Sequence, residues 1–205
     1  MVRRAIREYL KRITRVNDVP VEAYVHPSHA MNQPHVLDVA AVNLADYSAR
    51  FGAFPLGSLR IVEVPRTVGG AQSLPGLILQ SEDLGFLSRV PRDSGTIDLP
   101  AFVAANEVAH RWWGSQVDGA ADVPSGLVSE GLAQYAAYVA MTRWAPSRVN
   151  AIRQSETHRD WRGRTDALDP EVPLRAAECE GHLVYSKALL AFAALGNARS
   201  IDQSL

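Results

Sequence analysis

The stretch from residue 104 to 114, Ala-Ala-Asn-Glu-Val-Ala-His-Arg-Trp-Trp-Gly, constrains this chain most. Asp98 and Pro100 predict a helix start just before it, so we expect a helix from Leu99 to Trp113. Residues three and four apart share one face of a helix, which places Asn106, Glu107 and His110 together. Histidine at 106 would complete His-Glu-x-x-His, in which two imidazoles bind zinc and the glutamate is a general base. Asparagine stands there instead.

Glu-x-x-His alone is a weak signal, because an exposed glutamate beside a helical histidine is common. Two further motifs follow it in order: Ser-Glu-Gly at 129–131 and Tyr-Ser-Lys at 185–187, each in an apolar, helix-like segment. This series resembles the M1 family of zinc metallopeptidases, the aminopeptidase N type. It is most similar to the bacterial M1-like domains that are joined to membrane permeases. The resemblance extends from about Val21 onward.

The resemblance implies an α+β, thermolysin-like catalytic domain with a small mixed sheet N-terminal and helices C-terminal. We expect one domain over residues 1–205, with the flanking domains of M1 enzymes absent. It also implies one zinc ion held by His110 and Glu130, with Asn106 at the substituted ligand position. Glu107 would be the base that takes a proton from zinc-bound water, and Tyr185 would donate a hydrogen bond to the oxyanion.

Asn106 leaves three hypotheses open, because an amide oxygen is a weak, neutral ligand that suits calcium or magnesium better than zinc. In the first hypothesis, peptide hydrolysis is impaired or lost. In the second, Asn106, a water molecule or a nearby histidine such as His182 completes the coordination and slow hydrolysis persists. In the third, a non-catalytic module holds peptides in the former cleft.

Ser73 and Gly76 are the expected substrate-binding residues. In M1 aminopeptidases an edge strand carries Gly-Ala-Met-Glu-Asn, and its glutamate holds the free amine of the substrate. In this sequence Ser73 aligns with that glutamate, and Leu74 aligns with the asparagine that follows it. A hydroxyl cannot supply a carboxylate–ammonium pair, so an active form need not be an aminopeptidase. Glu82, in a Ser-Glu pair shared with the permease-linked branch, receives no chemical role.

Residues 2–16 predict an amphipathic terminal helix, within the segment 1–18, because apolar residues recur at helical spacing. Its polar side carries six basic residues against Glu8, a pattern that binds anionic membranes or covers a domain surface. Three histidines follow within ten residues, at 26, 29 and 35. Their spacing fits no standard zinc pattern, and the prolines at 27 and 34 mark a loop, so we interpret them as structural.

Composition excludes several classes of function. A formal net charge of −1 gives no support for a nucleic-acid partner. Cys179 is the only cysteine, which excludes an internal disulfide and a thiolate cluster. No apolar run is long enough to span a bilayer and no signal peptide opens the chain, so a soluble, cytoplasmic protein is favoured. The expected partners are a peptide or protein substrate and a membrane permease or other domains missing from this chain.

Overall fold

A computed structural model describes residues 8–90, 95–120, 125–166, 170–178 and 180–202, with the backbone alone for residues 166 and 198–202. The chain forms two compact units. Unit 1 comprises residues 1–92 and 98–111, and unit 2 comprises residues 93–97 and 112–205. The single domain expected from the sequence stays a prediction.

Unit 1 contains one five-stranded mixed sheet. Its strands are β1 (Leu10–Val16), β2 (Val19–Val25), β3 (Leu59–Val64), β4 (Ala71–Leu74) and β5 (Leu77–Ser81), in the order β1-β2-β3-β5-β4. The three central strands β2, β3 and β5 are parallel neighbours, and the edge strands β1 and β4 are antiparallel. The α+β class with an N-terminal mixed sheet is therefore confirmed.

Two long helices cover one face of this sheet. Helix α1 (Gln33–Phe51) packs against β1 and β2, and helix α2 (Leu99–Ala109) packs beside α1 and against β4. The core between them and the sheet is fully buried and apolar, and it includes Val21, Ala23, Val36, Leu44, Leu59, Ile61, Ile78, Ala105 and Val108. A single helical turn, Glu82–Gly85, follows β5.

Helix α2 begins as predicted but ends early. The Asp98 carboxylate accepts a hydrogen bond from the Ala101 backbone N–H at 3.2 Å, which satisfies one of the free donors of the first turn. The helix ends at Ala109, so the predicted end at Trp113 is wrong. Residues 110–112 form turns, and Gly114 adopts a φ of 80° that glycine reaches without steric cost.

The prediction of a terminal helix over residues 2–16 is wrong for Leu10–Val16, which form strand β1. Residues 2–7 lie outside the described residues. A two-residue turn, Asn17-Asp18, joins β1 to β2 and pairs Val16 with Val19. Asn17 has a φ of 52°, in the left-handed region that asparagine tolerates better than most residues. The apolar residues Leu10, Ile13 and Val16 recur at helical spacing, but the turn at Asn17-Asp18 and the pairing with β2 produce a strand.

Unit 2 is helical. Its helices are α3 (Leu132–Trp144), α4 (Val149–Asp166) and α5 (Ala188–Asp202). A π-helical segment precedes two of them, Leu127–Gly131 before α3 and His182–Lys187 before α5. The helix-like segments expected around residues 129–131 and 185–187 are thus confirmed, each with a wider first turn. Among the residues that the structure describes, no helix combines the length and apolarity needed to cross a membrane.

Replacement of Asn17 tests the hairpin. A β-branched side chain is strained at positive φ, so we expect Asn17→Val to lower the free energy of unfolding by about 1–2 kcal/mol. The matched change Asn17→Gly keeps the conformation accessible and should leave stability nearly unchanged. Urea denaturation followed by circular dichroism measures both. Equal stability of the two variants would contradict the turn geometry and favour the helix.

Candidate functional site

Helix α2 carries two polar side chains in an otherwise apolar, buried segment. Asn106 is 7% exposed and Glu107 is 6% exposed, between the buried pairs Ala104-Ala105 and Val108-Ala109. Burying a carboxylate costs several kcal/mol unless charges or hydrogen bonds compensate it. This cost is of the same order as the free energy of unfolding of a whole domain. Glu107 is therefore an unusual side chain for a buried helix position, and the buried cation Arg111 lies beside it.

The edge strand β4 lies directly against this helix. Ser73 Oγ donates a hydrogen bond to the backbone carbonyl of Glu107 at 2.8 Å. Arg111 Nη1 donates to the carbonyl of Leu74, also on β4. The Arg111 side chain is buried, and burial lowers the pKa of its guanidinium, whereas the negative charge of Glu107 acts in the opposite direction. The strand is thus fixed to the helix at two adjacent positions.

The hairpin between β4 and β5 decides which backbone groups of β4 point outward. Ser81 N–H donates to the Gly70 carbonyl, and hydrogen-bonded pairs alternate with non-hydrogen-bonded pairs along an antiparallel ladder. The pairs Ala71–Gln80 and Ser73–Ile78 are therefore non-hydrogen-bonded. The backbone N–H and C=O groups of Ala71 and Ser73 face away from β5, along the outer edge of the sheet.

Gly76 lies in the two-residue turn of this hairpin. Its φ is 70°, and a Cβ at this position would lie 3.2 Å from the Ser58 carbonyl oxygen. Its own carbonyl accepts from the Arg60 N–H at 2.9 Å. The position therefore requires glycine for the turn and for its close approach to the 58–60 segment.

His110 follows the last residue of α2. Its backbone N–H donates to the Asn106 carbonyl at 3.2 Å, and its φ and ψ of −61° and −9° are still helical. Asn106, Glu107 and His110 thus keep the helical spacing predicted for them, although the helix ends between the second and the third.

The other two predicted site residues, Glu130 and Tyr185, belong to unit 2. Each lies on one of the two π-helical segments. These segments contact each other closely at Gly131, where a Cβ would lie 3.0 Å from Ala188 Cβ and 3.4 Å from the Val184 carbonyl oxygen. Single π turns inside helices occur frequently at functional sites. The remaining predicted site residues belong to unit 1: Asn106, Glu107, His110, Ser73 and Gly76.

Buried polar contacts hold the second π segment. Ser186 Oγ donates to the Glu156 carboxylate on α4 at 2.6 Å, and both side chains are buried. His182 packs against Gly163 of α4, and its Nε2 lies 3.8 Å from Glu171 Oε2. The role of His182 as a replacement metal ligand stays a prediction.

A second cluster of potential metal ligands, which the sequence analysis did not predict, lies in unit 1. His29, Glu63 and Glu82 each offer one ligand atom, and the three atoms lie within 4.8 Å of one another. Each residue lies at or just after the carboxyl end of a parallel strand. The signal that could have found them is the set of strands ending at 25, 64 and 81, with Glu63 and Glu82 at two of these ends and His29 in the short helix that follows the third.

The packing of residues 177–184 against the start of the first π segment can be tested at Gly126, which precedes that segment. A Cβ there would lie 2.4 Å from the Glu178 carbonyl oxygen and 2.8 Å from that of Ala177. Since backbone must move to accept it, we expect Gly126→Ala to lower the free energy of unfolding by about 1–3 kcal/mol. Gly181→Ala is the matched control, because nothing lies within 4 Å of its Cβ position. Equal urea midpoints for the two variants would contradict this packing.

Comparison with known protein families and with curated proteins finds no relative of this chain. The sequence matches no model of a known protein family, and no curated protein matches it.

Proposed function

We propose that this chain is an M1-like zinc metallopeptidase catalytic domain of thermolysin-like fold, with hydrolysis impaired or lost because Asn106 replaces a zinc-binding histidine. The observation that carries the proposal is a buried carboxylate beside an edge strand. Glu107 is 6% exposed on α2, and its carbonyl accepts a hydrogen bond from Ser73 of β4. A peptide paired with the outer edge of β4 would lie next to the helix that carries Glu107 and His110.

The donor set does not fit a catalytic zinc ion of normal affinity. Such sites use three protein ligands, for example two imidazoles and a carboxylate, and keep a fourth position open for water. His110 and Glu130 supply one imidazole and one carboxylate, and Asn106 supplies only a neutral amide oxygen. Loss of an outer-shell partner already costs about 10–100-fold in metal affinity, and loss of a direct ligand costs more. We therefore assign no hydrolytic step to the chain with Asn106.

Peptide binding without cleavage is the second candidate function, and the outer edge of β4 favours it. Extended peptides add to exposed sheet edges through main-chain hydrogen bonds, and side-chain pockets then supply selectivity. The outward backbone groups of Ala71 and Ser73 offer two donors and two acceptors for such pairing. This function needs no metal and is compatible with Asn106.

The edge strand also bears on which peptides would bind. Ser73 stands where M1 aminopeptidases carry the glutamate that binds the substrate's free amine, and its hydroxyl is engaged with the Glu107 carbonyl. Without a carboxylate there, β4 has no charge at this position that favours a free N-terminus over an internal segment. We expect internal or blocked peptide segments to bind as well as free N-termini.

Restoring the imidazole tests the peptidase proposal. We expect Asn106→His to bind one more zinc ion per chain than the unaltered protein, with affinity raised more than about 100-fold. It should also acquire chelator-sensitive peptidase activity. Adding Glu107→Gln to that variant removes the general base and should lower the activity by about 10²–10⁴-fold while zinc stays bound.

Asn106→Gln is the matched control, because it changes the side chain without adding an imidazole and should gain neither zinc nor activity. Zinc content by elemental analysis and cleavage of a quenched-fluorescence peptide library are the two measurements. If Asn106→His gains neither zinc nor activity, the assignment of residue 106 as a former ligand position is wrong.

Loss of an outward N–H tests peptide binding by β4. Ala71→Pro removes a donor on the outer edge and leaves the ladder to β5 intact, since residue 71 begins the strand in a non-hydrogen-bonded pair. We expect affinity for a blocked, extended peptide to fall about 10-fold, as one main-chain hydrogen bond and the adjacent backbone contact are lost.

Fluorescence anisotropy with a labelled peptide selected from a blocked library measures this affinity. Gln72→Ala is the control, because it alters an exposed side chain of β4 and keeps every backbone group. Equal weakening by the two variants would show that the peptide contacts side chains and does not pair with the strand.

A further inference from the structure

The carboxyl ends of three neighbouring parallel strands meet at one edge of the unit 1 sheet. β2 ends at Val25 and leads into the short 3-10 helix Pro27–Asn32, which carries His29. Glu63 is the penultimate residue of β3, and Glu82 follows the last residue of β5. The crevice at the carboxyl ends of parallel strands is where ligands bind in α/β sheets. Here the topology brings three metal-ligating residue types to that place.

The geometry of these three side chains is close to that of a metal site. His29 Nδ1 lies 2.5 Å from Glu63 Oε1 and 3.7 Å from Glu82 Oε2. Ligands about 2.1 Å from a tetrahedral ion lie about 3.4 Å from one another. A small rotation of the imidazole away from Glu63 would equalise the two distances and open the position between the three atoms.

Backbone N–H groups hold both carboxylates in orientation. The His26 N–H donates to Glu63 Oε2 at 2.5 Å, and the Arg66 N–H donates to Glu82 Oε1 at 3.2 Å. Each carboxylate therefore has one oxygen fixed by the main chain and turns the other toward His29. Hydrogen bonds of this kind orient the ligands of natural metal sites and are needed for their affinity.

The segments that carry the ligands are themselves tied together. Asn32, at the end of the 3-10 helix, donates from Nδ2 to the carbonyls of Phe86 and Ser88, at 3.2 Å and 2.5 Å. The turn with His29 and the turn with Glu82 therefore keep a fixed separation without an ion, as a preformed site requires.

Negative charge accumulates at this end of the sheet. Glu63 is 3% exposed, and among the described residues His29 is its only ion-pair partner. The cation near Glu82 is Arg66, which is exposed and 3.8 Å away. Two carboxylates thus face one imidazole at this end of the sheet.

A buried amide nearby has unused hydrogen-bonding capacity. Gln80 is the register partner of Glu63 on β5, so the two side chains lie on the same face of the sheet. Gln80 is fully buried, and its Oε1 and Nε2 form no hydrogen bond with the part of the chain that the structure describes. Buried polar groups are normally satisfied, in many cases by ordered water, and a hydrated ion would bring such water to this end of the sheet.

We propose that His29, Glu63 and Glu82 form a binding site for a divalent transition-metal ion, Zn²⁺ or Mn²⁺. One imidazole and two carboxylates suit these ions, since imidazole favours transition metals and carboxylate favours harder ions such as Mn²⁺. Three protein ligands leave room for water at the remaining positions. The site is separate from the one proposed on α2 and needs neither Asn106 nor His110, so the ion would bind whether or not the chain is a peptidase.

Metal titration of the whole chain tests this site. After removal of metal with a chelator and dialysis, Zn²⁺ and Mn²⁺ are titrated in turn by isothermal calorimetry. We expect one site that His29→Gln or Glu82→Gln weakens more than about 100-fold. His35→Gln is the matched control, because His35 lies in the same region and contacts Asp98, and it should leave affinity unchanged. His110→Gln should also leave this site unchanged, which distinguishes it from the proposed peptidase site.

A second measurement covers the case in which a variant fails to fold. In the unaltered chain with ¹⁵N-labelled histidine, zinc should shift the ring signals of His29 and leave those of His158 in place. A saturating ion should also raise the melting temperature of the unaltered protein by roughly 5–10 °C at a hundredfold excess over Kd. Absence of binding to both metals overturns the proposal, as does unchanged affinity in His29→Gln and Glu82→Gln or a zinc response that spares His29.

Discussion

An ionised carboxylate costs several kcal/mol to bury unless opposite charge or hydrogen bonds compensate it. Three of the buried glutamates, Glu63, Glu107 and Glu156, impose this constraint beside the proposed sites. Glu63 is held by His29 and by the His26 N–H. Glu107 lies beside the buried cation Arg111, and Glu156 accepts from Ser186 and pairs with Arg159. The contacts of Glu63 with His29 and of Glu156 with Ser186 join elements that are distant in sequence, whereas Arg111 follows Glu107 by one helical turn. The two distant contacts order the segments around the proposed sites.

Local sequence signals predicted the elements whose pattern is strong and unambiguous. The start of α2 follows from Asp98 and Pro100, and the helical segments around 129–131 and 185–187 follow from their apolar pattern. The first strand was mispredicted because Leu10, Ile13 and Val16 recur at helical spacing and do not alternate. Pairing with β2 overrides this local signal, and that pairing is a tertiary interaction.

The two candidate sites differ in how far the sequence could predict them. Glu107 and His110 are one helical turn apart, so their spacing alone placed them on one helix. His29, Glu63 and Glu82 come together only because β2, β3 and β5 are parallel neighbours, and this requires the strand order. The assembly of Glu107, His110, Glu130 and Tyr185 into one zinc site stays a prediction. The π-helical segments under Glu130 and Tyr185 could not be predicted, because residue spacing does not distinguish a wider turn from an ordinary one.

The strand order also places the basic residues near the N-terminus on a border of the sheet. β1 is the opposite border of the sheet from β4, and it carries Lys11, Arg12 and Arg15. Charged side chains on a border strand repel the border of another molecule and hinder the stacking that leads to fibrils. The arginines that suggested an affinity for lipid headgroups would then keep copies of this protein apart in a crowded cell. Of the two borders, only the one next to α2 would accept a further strand.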